Sequence, residues 1–173
     1  MSTSLYDLSV GSYLQTVGGV KNFMAKGAEY CNENGISLDD VVATKLQEDM
    51  LPFHFQAVCV AHHSINAVRG VMAGEFRPPN GFDDTDYAGL QGYVAQALAD
   101  LNEVDADELN ACSGKTVLFK IGGNEIPFTA ENFILSFSLP NLYFHATTAY
   151  DILRMQGAPL GKMDFLGQLR MGV

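Results

Sequence analysis

Leu139-Pro140-Asn141-Leu142-Tyr143-Phe144-His145-Ala146-Thr147-Thr148-Ala149-Tyr150-Asp151-Ile152-Leu153-Arg154-Met155-Gln156-Gly157 is the stretch whose reading decides the fold. It reads as a helix, with Gly157 after it as a stop, because glycine takes left-handed backbone cheaply. Residues four apart on a helix lie one above the other, so Asn141 and His145 look into the same space on an otherwise apolar face. Two His at that spacing would suggest a pair of metal ligands. One Asn and one His suggest a metal site lost or replaced.

Working outward, Thr129 is placed to cap this helix, and Pro140 should kink it or split it in two. Residues 115–121 and 125–128 are rich in β-branched and aromatic residues, and they flank Gly122-Gly123-Asn124, a pattern that predicts a β-hairpin. Pro127 belongs at a strand end or edge. Three long helices are expected before the hairpin. The first covers 5–34 and stops at Gly35, with Gly18-Gly19 in its middle read as the close approach of a neighbouring helix. The second runs from Pro52 to about Gly74, and Val58, Ala61, Ile65, Val68 and Met72 make its buried stripe. The third covers 85–103, opened by Asp83, Asp84 and Asp86 near its positive end. Ser37 should cap a short helix, and Asp105-Ala106-Asp107-Glu108 reads as a solvated stretch between elements. The tail, 158–173, should lie against the body through Leu160 and Phe165. Four long helices with a hairpin between the third and fourth make an all-α bundle, a single domain over 1–173.

Composition removes several function classes. Twenty acidic residues against ten basic give a formal charge of −10. A nucleic-acid binder needs clustered Lys and Arg to displace counterions from phosphates, so no nucleic-acid partner is expected. No apolar run reaches the roughly 20 residues of a membrane helix, and residues 1–7 lack the pattern of a signal peptide. No membrane partner and a cytoplasmic location are therefore expected. Cys31, Cys59 and Cys112 show no CxxC spacing, so neither a disulfide framework nor a zinc knuckle is indicated, and Cys31 and Cys59 read as small core residues.

Leu5-Tyr6-Asp7, Asp49-Met50-Leu51-Pro52, and the run from Leu139-Pro140-Asn141 through Phe165-Leu166-Gly167 resemble an uncharacterised bacterial family, a domain of unknown function. That family is grouped with the DinB/YfiT-like four-helix bundles. The resemblance implies that fold, and it implies a divalent metal held by three His, one on the second helix and an H-x-x-x-H pair on the last. Here His145 occupies the second position of the pair and Asn141 the first, while Ala146, Thr147 and Thr148 stand where the superfamily often has Arg, Gly and Gln.

Asn offers a neutral amide oxygen, a weak ligand for zinc or nickel, so a degenerate metal site is expected and no cofactor is required. The candidate ligands are His145 with His54 or His62. His54 lies on the inward stripe of the second helix, His62 on its flank, and His63 should point largely outward. His54 and His62 are separated by about 12 Å of helix rise, too far to serve one ion. A small-molecule ligand between facing helices, met by Asn141, His145, Thr148 and His54, is the expected function, in a protein that forms a homodimer. The alternative is a divalent-metal-dependent transferase acting on a low-molecular-weight thiol, as the resemblance suggests.

Overall fold

Amphipathic and fully apolar helical segments account for most of the structure, a computed structural model that describes residues 3–79 and 84–171. Asp83 and the Asn80-Gly81 part of the connector lie outside the described residues. Helix α1 (Leu5–Leu8) opens with a reciprocal cap between Ser4 and Asp7, and α2 (Val10–Glu33) follows directly. Ser37 caps α3 (Leu38–Ala43) by accepting from the Asp40 amide. Helices α4 (Phe53–His62) and α5 (Ile65–Ala73) share one path, and Gly74 closes them at φ 76°. Asp86 caps α6 (Tyr87–Asn102), and Asp105 caps α7 (Ala106–Asn110). Thr129 caps α8 (Ala130–Phe133), which passes through a π-helical turn (Ile134–Ser138) into α9 (Leu139–Met155). Helix α10 (Lys162–Leu166) follows α9.

The long helices pack in a ring: α2 on α6 and α9, and α4 on α6 and α9. Their shared interior holds Tyr13, Phe23, Phe53, Tyr87 and Leu142, all fully buried. Phe53 and Tyr87 stack with ring centroids 5.4 Å apart, and the Tyr87 hydroxyl donates to the Met24 carbonyl at 2.9 Å. A buried phenol needs such a partner, and here it ties three helices together. Among the described residues no helix is long and apolar enough to cross a membrane.

Strands β2 (Thr116–Ile121) and β3 (Asn124–Thr129) pair antiparallel, joined by Gly122 and Gly123 at φ 56° and 82°. Positive φ at both turn positions matches the twist of the flanking strands. Pro127 sits on β3, an edge strand. Sequence reasoning missed a third strand: β1 (Glu75–Phe76) pairs parallel to β2, Glu75 opposite Leu118.

Three further differences have identifiable causes. The first helix breaks at Ser9 and the second at Ser64, and at both places the serine hydroxyl bonds back to the carbonyl four residues earlier, Leu5 and Val60, each at 2.7 Å. Such back-bonding competes with the backbone ladder and bends helices. The expected interruption at Pro140 takes the form of a π-helical turn that divides α8 from α9, and Pro140 occupies the first turn of α9, where its missing N–H costs least. The acidic stretch at 105–108 is a capped helical turn rather than a loop.

Gly19 owes its identity to α10. A Cβ there would stand 2.5 Å from the Phe165 carbonyl oxygen, so the tail rests directly on the backbone of α2. Lys26 pairs with Asp164, and Gln15 donates to the Leu166 carbonyl at 2.9 Å.

Candidate metal centre

Helix α4 is half-exposed at His54 and Phe55 in its first turn, but residues 56–65 are buried without interruption, so the remainder of the helix has no solvent face. One side of it, carrying Gln56, Cys59 and His63 at helical spacing, meets α9 at His145. Cys59 and His63 are one turn apart and therefore project together. One ligand atom from each of Cys59, His63 and His145 falls within 4.8 Å of the other two, and all three residues are buried. A tetrahedral zinc ion bound to two imidazoles and a thiolate spaces its donors about 3.4–3.6 Å apart, so closing the set requires the donors to draw together by up to about 1 Å.

The hydrogen bonds fix how His145 presents itself. Gln56 Nε2 donates to the Leu51 carbonyl at 2.8 Å, which turns Gln56 Oε1 toward His145 Nδ1, also at 2.8 Å. Nδ1 must then carry the proton, and Nε2 is left with its lone pair. Metal-ligating histidines are oriented by this kind of outer contact. The ring is held further by Phe55 and Phe144 edge-on and by His63 stacked at 5.6 Å with a 10° interplanar angle.

His63 is placed through its backbone. Its carbonyl accepts from Ser138 Oγ at 2.7 Å, and Ser138 Oγ lies 2.6 Å from the Tyr13 hydroxyl. Since the Ser138 proton goes to His63, the phenol is the donor in the second bond. On the ring itself, Nδ1 is buried with no hydrogen-bond partner. An unpartnered buried nitrogen is costly unless something else occupies it.

Burial pushes His63 down to about 3, helped by the charges His62 and His145 would carry, and pushes His145 down to about 4, helped by His62. Both rings are neutral at physiological pH, the form that coordinates a cation. Burial pushes the Cys59 thiol up to about 12, so it carries its proton until a cation displaces it. Two neutral imidazoles and a displaceable thiol form a donor set that suits zinc and neighbouring ions. The residues present fit a metal.

Of the residues nominated from sequence, the structure brings His145 into this cluster. Asn141 spends its amide on the Phe137 carbonyl at 2.7 Å, and Thr148 bonds back to the Phe144 carbonyl at 2.8 Å. His54 lines a separate cavity with Asp39, Asp84 and Asp86. His62 Nε2 contacts the Arg77 carbonyl at 3.0 Å, and burial lowers its pKa. The reading of His63 as outward is corrected: it is 6% exposed, because Phe76, Phe137 and His145 pack around its ring. Cys59 and His63 were missed as ligands. Their C-x-x-x-H spacing was the available signal.

The fold is shared with a solved DinB family member. A DinB family member from Shewanella denitrificans matches with a TM-score of 0.82 over 98% of this chain and 95% of that one, at 23% identity, a likeness of fold. Residues 5–166 match the model of a domain of unknown function, DUF1993, and the chain belongs to that family. None of the curated proteins compared matches it.

Proposed function

We propose that this chain is a four-helix bundle of the DinB/YfiT type, one domain over 1–173, that binds a divalent transition-metal ion, zinc or nickel, through Cys59, His63 and His145. The observation that carries the reading is the convergence of three buried donors from two helices within 4.8 Å. The metal site is then re-founded rather than degenerate: the second helix supplies the one-turn pair, Cys59 and His63, and the last helix supplies one ligand, His145.

Three protein ligands leave a position for an outside molecule, the arrangement of catalytic rather than structural zinc. A metal there would lower the pKa of a bound thiol or water. That open position supports the alternative of a transferase acting on a small thiol. Gln56 orients His145, and Ser138 holds the backbone of His63, whichever use is made of the ion.

Metal content of protein purified without a polyhistidine tag tests the proposal. About one zinc or nickel per chain is expected, lost in Cys59→Ser and His145→Ala variants that still fold. Protein that stays metal-free, with an unchanged melting temperature after zinc or nickel is added, would overturn it.

A further inference from the structure

A cavity of about 540 Å³ opens on the far side of His62, between the end of α4, α5, β1 and α6. That volume is in the range of small-molecule sites. The chain has only four arginines under a formal charge of −10, and two of them, Arg69 and Arg77, line this one cavity. Each guanidinium is braced. Arg69 donates to Asn66 Oδ1 at 3.0 Å and to Asp100 Oδ2 at 2.7 Å. Arg77 donates from Nε to Glu75 Oε1 at 3.3 Å, while Lys120 holds the other Glu75 oxygen at 2.7 Å.

A guanidinium has five N–H donors. These bonds use two on Arg69 and one on Arg77, so donors remain on both side chains, each more than half exposed at the cavity. Planar, forked donors of this kind match a carboxylate. The same braces limit the charge of the guest. Glu75 and Asp100 sit beside the guanidiniums and would repel a second negative charge, which disfavours a phosphate dianion. The rest of the wall is mixed: His62, Asn66 and Glu75 are polar, while the half-exposed Tyr93 ring, Pro78 and Pro79 supply an apolar side. His62 shapes the cavity, because its bond to the Arg77 carbonyl pins the Arg77 segment against α4.

We propose that this cavity binds a small organic monocarboxylate with an apolar body, the carboxylate between Arg69 and Arg77 and the body against Tyr93. The proposal does not rest on the metal reading, although His62 of this cavity packs edge-on against His63 with ring centroids 5.1 Å apart.

The test is a titration of the ¹⁵N-labelled full chain with 3-phenylpropionate, 3-phenylpropanol as the uncharged control and 2-phenylethylphosphonate as the dianion. Saturable shifts confined to residues 66–79 and around Tyr93 are expected for the carboxylate. Binding at least tenfold weaker is expected for both controls, and for the carboxylate with Arg69→Gln and Arg77→Gln. Cys59→Ser should leave the titration unchanged, which separates this site from the metal centre. Absence of saturable shifts, shifts mapping elsewhere, equal binding of the alcohol, or unchanged binding in the arginine variants would each overturn the proposal. Tighter binding of the phosphonate would overturn its charge assignment.

Discussion

The hydroxyl of Ser138 donates to the carbonyl of His63 at 2.7 Å, so the π-helical turn before α9 holds the break between α4 and α5 in place. Both groups are buried, as is Tyr13, which donates to Ser138 in turn. In Ser138→Ala the carbonyl and the phenol both lose a partner. The expected cost is about 1–3 kcal/mol, the penalty for stranding a buried polar group, read from urea unfolding. Tyr13→Phe should cost less, because Ser138 keeps its bond to His63. Equal stability of Ser138→Ala and the parent protein would refute the role given to this relay.

Cobalt(II) serves as a spectroscopic stand-in for zinc at the Cys59, His63 and His145 cluster. Cobalt bound to thiolate is expected to give a near-ultraviolet charge-transfer band that Cys59→Ser lacks. Zinc binding near neutral pH should release about one proton per ion, since the thiol must lose its proton to coordinate. A cobalt complex without the thiolate band would remove Cys59 from the ligand set.

Acid should weaken the metal-free protein through the same imidazoles. Unfolded, His63 and His145 titrate near the ordinary histidine value; folded, they are pushed down to about 3 and about 4. Between those values the unfolded chain binds more protons than the folded one, so stability rises with pH. It is fully present above about pH 6.5 and is lost as pH falls toward about 4. Urea midpoints measured across that window should drop, and the drop should be shallower in His63→Leu. An identical slope in the variant would show that His63 is not held neutral by the fold.

Gly19→Ala should loosen the tail. The added methyl would meet the Phe165 carbonyl, a backbone atom that cannot swing aside as a side chain can. A loss of about 1–3 kcal/mol is expected, with faster amide exchange confined to α10 and the segment of α2 beneath it. Exchange unchanged at residues 162–167 would show that the contact is dispensable.

Much of the frame could be read from the residues, because local chemistry dictated it. Ser37 and Thr129 cap helices, and Gly35, Gly74 and Gly157 close them at positive φ, as their residue types predict. His145 was legible as an inward imidazole because α9 is amphipathic and Tyr143 and Phe144 mark its exposed side. The ligands on α4 were not. A helix buried on every side beyond its first turn carries no hydrophobic contrast there, so periodicity could not say which of His54, His62 and His63 meets α9. Cys59 was hidden for the same reason, since a buried ligand and a buried apolar filler look alike in sequence. The two serine breaks depend on rotamers that the residue type alone does not fix.

The parallel partnership of β1 with β2 constrains the order in which the chain assembles. Neighbouring strands joined by two glycines can zip together on their own within microseconds. A parallel neighbour has no such shortcut, because the chain must first make a long crossover. Here that crossover includes α6 and α7. Glu75 and Phe76 are therefore expected to dock after the hairpin has closed, as a latch thrown once the scaffold is up, and the Arg77 wall of the proposed cavity would take its final shape with them.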